Sequence, residues 1–91
     1  MKVKFYKSEK PDKRMKAVFD DKKTVHFGSK TGSTFIDHKD PKKKKAWEAR
    51  HKVRENWNDP MTAGALSKHI LWNKTSLEAS IKDYKKRFSM S

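Results

Sequence analysis

The spacing of apolar residues changes its period near residue 40, and this change is the strongest constraint on the fold. In the segment "KVKFYK" at residues 2–7, polar and apolar side chains alternate, which places Val3 and Phe5 on one face of a strand. Beyond residue 40, apolar residues recur every three or four positions, as they do in amphipathic helices. The sequence therefore predicts an α+β fold, with an N-terminal sheet followed by helices.

Two more alternating segments follow the first strand and complete the predicted sheet. In the second segment Met15, Ala17 and Phe19 share one face, and Asp20-Asp21 is a turn signal that leads into the third. We expect a three-stranded antiparallel meander with one apolar face. The two segments are "KRMKAVF" at residues 13–19 and "KKTVHFG" at residues 22–28.

The loop "GSKTGST" at residues 28–34 leads to Phe35 and Ile36, which have two interpretations. They form either a short fourth strand or an apolar plug over the core. The chain is thus interpreted as a single domain over residues 1–91, with the β-meander and loop in 1–36 and a three-helix segment in 40–89.

Three start signals divide the C-terminal part into three predicted helices. Asp40-Pro41 and Asp59-Pro60 combine an N-cap residue with proline at the first helical position, and "TSLE" at residues 75–78 has the form of a capping box. Asn73 is interpreted as a left-handed stop after the second helix. The predicted buried stripes are Ala46, Ala49, Val53 and Trp57 in the first helix, Ala63, Leu66 and Ile70 in the second, and Leu77, Ile81, Tyr84 and Phe88 in the third.

The segment "ENWNDPMTAGALSKHILWNK" at residues 55–74 is nearly neutral in a chain where 38% of residues are charged. It holds two of the three tryptophans, Trp57 and Trp72, which favours packing over ligand binding. We expect its helix to be central, with neighbours on several sides, and the small residues Ala63, Gly64 and Ala65 to permit a close approach of another backbone.

The net charge points to a polyanionic partner. The chain has 24 Lys and Arg against 11 Asp and Glu, a formal charge of +13, and the excess is spread over its whole length. Such a field favours association with nucleic acid or with an acidic protein. The chain has no cysteine, which excludes thiol catalysis and zinc fingers, and no apolar run approaches the roughly 18 residues of a membrane span. We expect no cofactor, no membrane insertion and no secretion.

The densest basic stretch lies on the first predicted helix, and a second basic group lies on the last. Lysine is a point charge suited to phosphate and poorly suited to reading bases, so a sequence-independent phosphate contact fits this composition. An ordinary solvated face and an acidic protein partner remain alternatives. The predicted nucleic-acid-binding residues are Lys42, Lys43, Lys44, Lys45, Arg50, Lys52 and Arg54, with Lys82, Lys85, Lys86 and Arg87 as the second patch.

The outward face of the predicted sheet is also basic and carries one aromatic ring. It could stack a base of a single strand, or it could be a solvated face whose lysines protect the sheet from edge pairing. The residues predicted on this face are Lys4, Tyr6, Arg14, Lys16, Val18, Thr24 and His26.

Candidate catalytic and metal-binding residues do not converge. Asp12 and Asp21 resemble part of a nuclease pattern, but they lie at opposite ends of a strand, roughly 20 Å or more apart. Glu48 and His51 have the helical spacing of a ligand pair, yet neighbouring cations disfavour a metal, and we expect Glu48 to form a surface ion pair with Lys45 or Lys52. No nucleophile with a paired base is recognisable, so we expect no enzymatic activity.

Several long motifs carry a resemblance over nearly the whole chain. They are "ENWNDPMTAGALS", "ILWNK" and "SIKDYKKRF", together with "KPDKRMKAVF", "VHFGSK" and "HKDPKKK" upstream. In these motifs the sequence resembles a small basic domain family of unknown function from large nucleocytoplasmic DNA viruses, the chlorella-virus and mimivirus relatives. The resemblance implies a viral origin and an α+β fold, and it carries no assigned catalytic or binding residue.

These observations together favour a non-enzymatic, sequence-independent nucleic-acid-binding protein, with DNA preferred over RNA as the partner. The alternative is a virion structural or interaction protein whose basic surface binds an acidic viral protein. If the viral resemblance holds, the expected location is the virion, or the nucleus or cytoplasm of the host cell, where viral factories form.

Overall fold

The computed structural model describes residues 1–91 and places three antiparallel strands before four helices, which confirms the predicted α+β fold. The strands are β1 (Val3–Lys7), β2 (Lys13–Phe19) and β3 (Lys23–Ser29). The helices are α1 (Phe35–His38), α2 (Pro41–His51), α3 (Ala63–Leu66), which continues as a π-helical turn over Ser67–Leu71, and α4 (Leu77–Arg87).

The sheet has the order β1-β2-β3 and the predicted alternation of faces. Asp20 and Asp21 both have positive φ, and the Lys22 N–H donates to the Phe19 carbonyl at 2.9 Å, as in a type I′ turn. Aspartate tolerates the left-handed region better than branched residues do, so this Asp-Asp pair suits the reversal between β2 and β3.

The apolar face of the sheet is covered by the helices, and one core lies between them. Gly28 has a φ of +80°, and a side chain there would meet Leu71 Cδ1 at 2.6 Å, so this glycine lets the π-helical turn rest directly on β3. The buried core residues are Val3, Ala17, Phe19, Phe27, Phe35, Trp47, Leu66, Ile70, Leu71, Trp72 and Tyr84.

Phe35 and Ile36 belong to α1, so the fourth-strand interpretation is wrong. Thr34 and Asp37 form a reciprocal capping box, in which the Thr34 N–H donates to Asp37 Oδ2 at 2.7 Å. The hydrogen bond from the Thr34 backbone also holds the pKa of Asp37 below its usual range. Phe35 is buried, as the plug interpretation requires.

The neutral segment is scaffold, as predicted, although its helix begins later than predicted. Thr62 caps α3, while Asp59 Oδ1 accepts from the Met61 N–H and forms a local turn instead of a helix start. Leu66 and Ile70 are fully buried, but Ala63 is exposed. Asn73 has no positive φ, so the predicted left-handed stop is also wrong.

Gly64, near the start of α3, makes room for a side chain. A side chain at Gly64 would meet the carboxyl carbon of Glu55 at 2.5 Å, so this glycine makes room for that carboxylate. The two oxygens of Glu55 contact His51 Nδ1 at 3.5 Å and accept from Trp57 Nε1 at 3.0 Å.

The buried stripe predicted for the first helix is wrong. Asp40 caps α2 and Pro41 is its first residue, as predicted, but the helix ends at His51 and its one buried side chain is Trp47. The predicted stripe residues Ala46, Ala49 and Val53 are exposed, and Val53 is 83% exposed. A single large ring buries more apolar area than several alanines, and it therefore determines which side of α2 faces the core.

The start of α4 is displaced by one residue from the predicted capping box. Ser76, and not Thr75, is the N-cap, and its hydroxyl accepts from the Ala79 N–H at 3.1 Å. Tyr84 is the fully buried residue of the predicted stripe, whereas Leu77 is 37% exposed. The Tyr84 hydroxyl donates to the Pro60 carbonyl at 2.6 Å, and burial raises its pKa above the ordinary value.

Candidate nucleic-acid interface

The outer side of α2 presents six exposed cations. Successive residues of an α-helix are rotated by about 100°, so the four cations on the helix itself span an arc of about 160° on the side opposite to Lys44 and His51. Two more follow at the end of the helix. We call this set the α2 cation face; its members are Lys42, Lys43, Lys45, Arg50, Lys52 and Arg54.

No member of the α2 cation face has a carboxylate within 4.0 Å. Glu48, the one acid within α2, reaches to the other side of the helix and accepts from Lys68 Nζ at 2.7 Å. The predicted surface pair of Glu48 with Lys45 or Lys52 is therefore wrong. The charges on this face are left without internal compensation, so their field extends into solvent.

The centre of the α2 cation face is small and flat. Ala46 and Ala49 lie between the cations on the exposed arc of the helix. The residues that were expected to be buried therefore form the middle of the basic surface. A methyl side chain at these positions permits a polyanion backbone to approach the helix while the lysines extend around it.

Lys44 differs from its neighbours because it lies on the inner side of α2. Its Nζ donates to the Asn73 carbonyl at 2.8 Å and lies 5.0 Å from the centroid of the Phe35 ring. Lys44 is half-buried and already bonded, so it connects α2 to the rest of the fold. Lys44 is therefore less available to a phosphate than its neighbours, and its role as a phosphate contact stays a prediction.

The second predicted patch lies on α4, and its cations are less exposed and less unpaired than those of the α2 cation face. Lys82, Lys86 and Arg87 are exposed, while Lys85 is half-buried. Arg87 Nη2 lies 3.5 Å from Asp83 Oδ2, so one cation of this patch is partly compensated. Asp83 also accepts from Asn73 Nδ2 at 2.7 Å, and this hydrogen bond holds the pKa of Asp83 below its usual range.

Asn73 connects the two basic helices. Its carbonyl accepts from Lys44 of α2, and its side-chain amide donates to Asp83 of α4. Lys74 follows directly, is exposed, and has no carboxylate within 4.0 Å. Sequence reasoning missed Lys74 because it is an isolated charge in a neutral segment, and only the fold places it next to the residue that joins the two basic helices.

The outward face of the sheet carries cations that are already paired. Lys16 Nζ lies 2.9 Å from Glu9 Oε2, and Lys4 Nζ lies 4.0 Å from Asp21 Oδ1. The ion pair with Lys16 lowers the pKa of Glu9. Tyr6 is the one exposed ring on this face, so the sheet lacks the row of aromatic residues that typifies a base-stacking platform.

Arg14 was also expected on the outward sheet face, but it is committed to the fold. Its Nη1 lies 3.3 Å from Asp37 Oδ2, and its Nη2 donates to the Gly32 carbonyl at 2.7 Å. Its Nε donates to the Ser29 carbonyl at 3.4 Å. The side chain therefore joins β2 to α1, to the end of β3 and to the loop between β3 and α1.

A stack of aromatic rings holds α2 in place. Trp47 lies parallel to Trp72 at a centroid distance of 5.0 Å and to Trp57 at 6.2 Å, and His51 stacks on it at 4.4 Å. All three tryptophans of the chain therefore belong to one cluster, and the interpretation of Trp57 and Trp72 as packing residues is confirmed. The stack fixes the rotation of α2 and hence the outward direction of its cation face.

The remaining candidate residues form no site for a metal. No group of three or more His, Asp or Glu side chains is arranged to hold one. His69 is buried in the core, its Nε2 lies 3.0 Å from the Trp57 carbonyl, and burial lowers its pKa.

None of the helices combines the length and the apolar character needed to traverse a lipid bilayer.

Comparison with known proteins gives a family and no activity. No curated protein and no solved structure matches the chain. Residues 3–51, more than half of the chain, match a family described as "Family of unknown function (DUF5754)". The matched part includes the whole sheet, α1 and α2, and thus most of the α2 cation face. The chain therefore belongs to this family of unknown function.

Proposed function

We propose that this protein is a non-enzymatic nucleic-acid-binding protein that contacts the phosphates of DNA, independently of sequence, through the α2 cation face. The exposed cations of α4 and Lys74 extend the contact. The resemblance to domains of large DNA viruses makes viral DNA the natural partner. This part of the proposal depends on the quoted motifs alone.

The observation that carries the proposal is the absence of acidic partners on the α2 cation face, in contrast to the paired cations of the sheet. An unpaired lysine gains interaction energy when it meets a phosphate, whereas a paired lysine must first give up its carboxylate. Release of condensed counterions adds a further driving force for each phosphate that is neutralised.

The direct test is a titration of a fluorescently labelled DNA duplex, with fluorescence anisotropy as the readout, at several salt concentrations. Because the protein reads phosphates, duplexes of different sequence should bind with equal affinity and the same salt dependence. Strong discrimination between unrelated sequences would contradict the sequence-independent mode. Charge reversal of Lys42, Lys43 and Lys45 to glutamate should abolish binding, and unchanged affinity would show that the assigned surface is wrong.

A second candidate function is binding of an acidic protein, and the exposure of Val53 favours it. Val53 is an apolar side chain, 83% exposed, and it lies between Lys52 and Arg54. An apolar contact surrounded by cations is more typical of a protein interface than of a phosphate interface. Recovery of a specific partner by pull-down that survives nuclease treatment would favour this function, and loss of the partner after nuclease would return the assignment to nucleic acid.

A further inference from the structure

A cleft opens beside α2, on the side where the loop between β3 and α1 faces the start of α3. Its volume is about 490 Å³, within the range of roughly 300–1,000 Å³ that is typical of small-ligand sites. The walls come from three distant parts of the chain: the loop over residues 29–34, the end of α2, and the segment from Ala63 to Ser67. Leu71 and Trp72 also line it.

The loop wall offers free backbone donors. Arg14 binds the carbonyls of Ser29 and Gly32, so two acceptors of the loop are already used. The N–H groups of Gly32 and Ser33 have no acceptor within the chain. A loop with two neighbouring amides free and the Gly32 carbonyl already bonded is suited to an anion.

Two cations line the same cleft. Lys13, at the start of β2, and Arg50, near the end of α2, both contribute to its wall, and neither has a carboxylate within 4.0 Å. Glu55 is the one acid in the lining, and its oxygens contact His51 and Trp57, so two cations stand against one carboxylate. The balance of charge in the cleft therefore favours an anionic ligand.

Aromatic side chains form another part of the lining. Trp47, Trp72 and His51 line the cleft, and they belong to the aromatic stack that anchors α2. A cleft lined by free backbone donors, two cations and several rings matches a ligand that has a phosphate at one end and a sugar or base at the other.

We propose that this cleft binds the phosphate monoester of a nucleotide, presented either as a free mononucleotide or as the phosphorylated end of a nucleic-acid strand. Lys13, Arg50 and the amides of Gly32 and Ser33 hold the phosphate, and the sugar and base lie toward Trp47 and Trp72. This goes beyond the phosphate contacts of the α2 cation face, because the ligand enters a defined cavity beside that face. The strand-end form of the proposal rests on the proposed function, and the free-nucleotide form does not.

The first experiment compares adenosine monophosphate with adenosine by isothermal titration calorimetry on the full chain. The phosphate should strengthen binding by at least about tenfold, as charge-assisted hydrogen bonds do. Lys13→Gln should remove most of this difference. The matched control is Lys10→Gln, an exposed lysine in the preceding turn that does not line the cleft, and it should bind as the wild type does. Equal binding of the two ligands, or equal losses in the two variants, would overturn the proposal.

The second experiment distinguishes the source of the phosphate and separates this proposal from the proposed function. A ten-nucleotide strand with a 5′-phosphate is compared with the same strand carrying a 5′-hydroxyl. If the phosphorylated strand binds more tightly, and Lys13→Gln removes this difference, the ligand is a strand end. If the phosphate matters only in the mononucleotide, the ligand is a free nucleotide. The variant Lys42→Gln/Lys43→Gln/Lys45→Gln should lose duplex affinity and keep the binding of adenosine monophosphate, so each proposal can fail alone.

Discussion

The outward face of the sheet and the outer side of α2 are both rich in cations, but they differ in how those cations are used. On the sheet, Lys4, Arg14 and Lys16 each have a carboxylate within 4.0 Å. On the α2 cation face no cation has one. The same residue types therefore support the fold in one region and remain available for a partner in the other.

Under the proposed function, the pairing of positive charges is a better guide to a binding surface than their number. Exposed ion pairs contribute only about 0–1 kcal/mol each, yet they bring a negative charge close to the cation and reduce its attraction for a second anion. A free cation has no such compensation. Substitutions at matched positions of the sheet and of the α2 cation face test this difference, and a substitution in the aromatic stack tests what holds α2 in place.

The largest expected effect is on stability, from Trp47→Ala. Trp47 is the one buried residue of α2 and the middle ring of the aromatic stack, so its loss should lower the free energy of unfolding by about 3–5 kcal/mol. Chemical denaturation followed by circular dichroism measures this change. Val53→Ala is the control, because this exposed side chain should change stability by less than about 0.5 kcal/mol. A Trp47→Ala loss below about 1 kcal/mol would mean that the stack does not anchor the helix.

The next effect is on DNA affinity and uses two double variants with the same change in charge. Lys42→Gln/Lys45→Gln removes two unpaired cations, and it should weaken duplex binding by about tenfold and reduce the slope of log K against log salt by about 2. Lys4→Gln/Lys16→Gln removes two paired cations and should change affinity by less than about twofold. Fluorescence anisotropy at several salt concentrations measures both. Equal losses in the two variants would show that pairing is irrelevant and that only net charge matters.

A smaller effect on stability distinguishes Arg14 on the sheet from Arg50 on the α2 cation face. Arg14→Gln should lower the free energy of unfolding by about 1 kcal/mol, because Arg14 binds Asp37 and two loop carbonyls. Arg50→Gln should leave stability unchanged within about 0.5 kcal/mol, because Arg50 is exposed and unpaired. Thermal unfolding of both variants tests this, and a comparable loss in Arg50→Gln would indicate that the α2 cation face has a structural role.

The smallest expected effect is a pH dependence of the free energy of unfolding, which arises from the buried residue His69. Burial depresses the pKa of His69 below its ordinary value of 6.5. Above pH 6.5 the ring is neutral in both the folded and unfolded chains. As the pH falls below that value, His69 takes up a proton more readily in the unfolded chain than in the folded chain, so the free energy of unfolding falls. Denaturation at pH 7.5 and pH 5.5 should show this loss in the wild type and a smaller one in His69→Gln, and an identical loss in both would exclude His69 as its origin.

The sheet could be predicted in detail because strand alternation is a local signal. The apolar positions Val3, Ala17, Phe19 and Phe27 all point to the core, and Asp40-Pro41 starts α2 where the sequence indicates. These features depend on neighbouring residues in the chain, and short-range chemistry decides them.

The orientation of α2 could not be predicted from spacing. Ala46 and Ala49 are compatible with either side of a helix, and a single tryptophan outweighs them only when Trp57 and Trp72 are close by. The pairings of Glu48 with Lys68 and of Lys44 with Asn73 link residues far apart in the sequence. These contacts decide which lysines remain unpaired. The basic stretch could therefore be located from the sequence, but the lysines within it that are available to a partner could not.

The most direct test of the α2 cation face is the salt dependence of duplex binding by the wild-type protein. Titration by fluorescence anisotropy at several salt concentrations gives the slope of log K against log salt. About five to seven unpaired cations on phosphates predict a slope of roughly −4 to −6. A slope near zero, or no binding at about 50 mM salt, would contradict the assignment of the α2 cation face to nucleic acid.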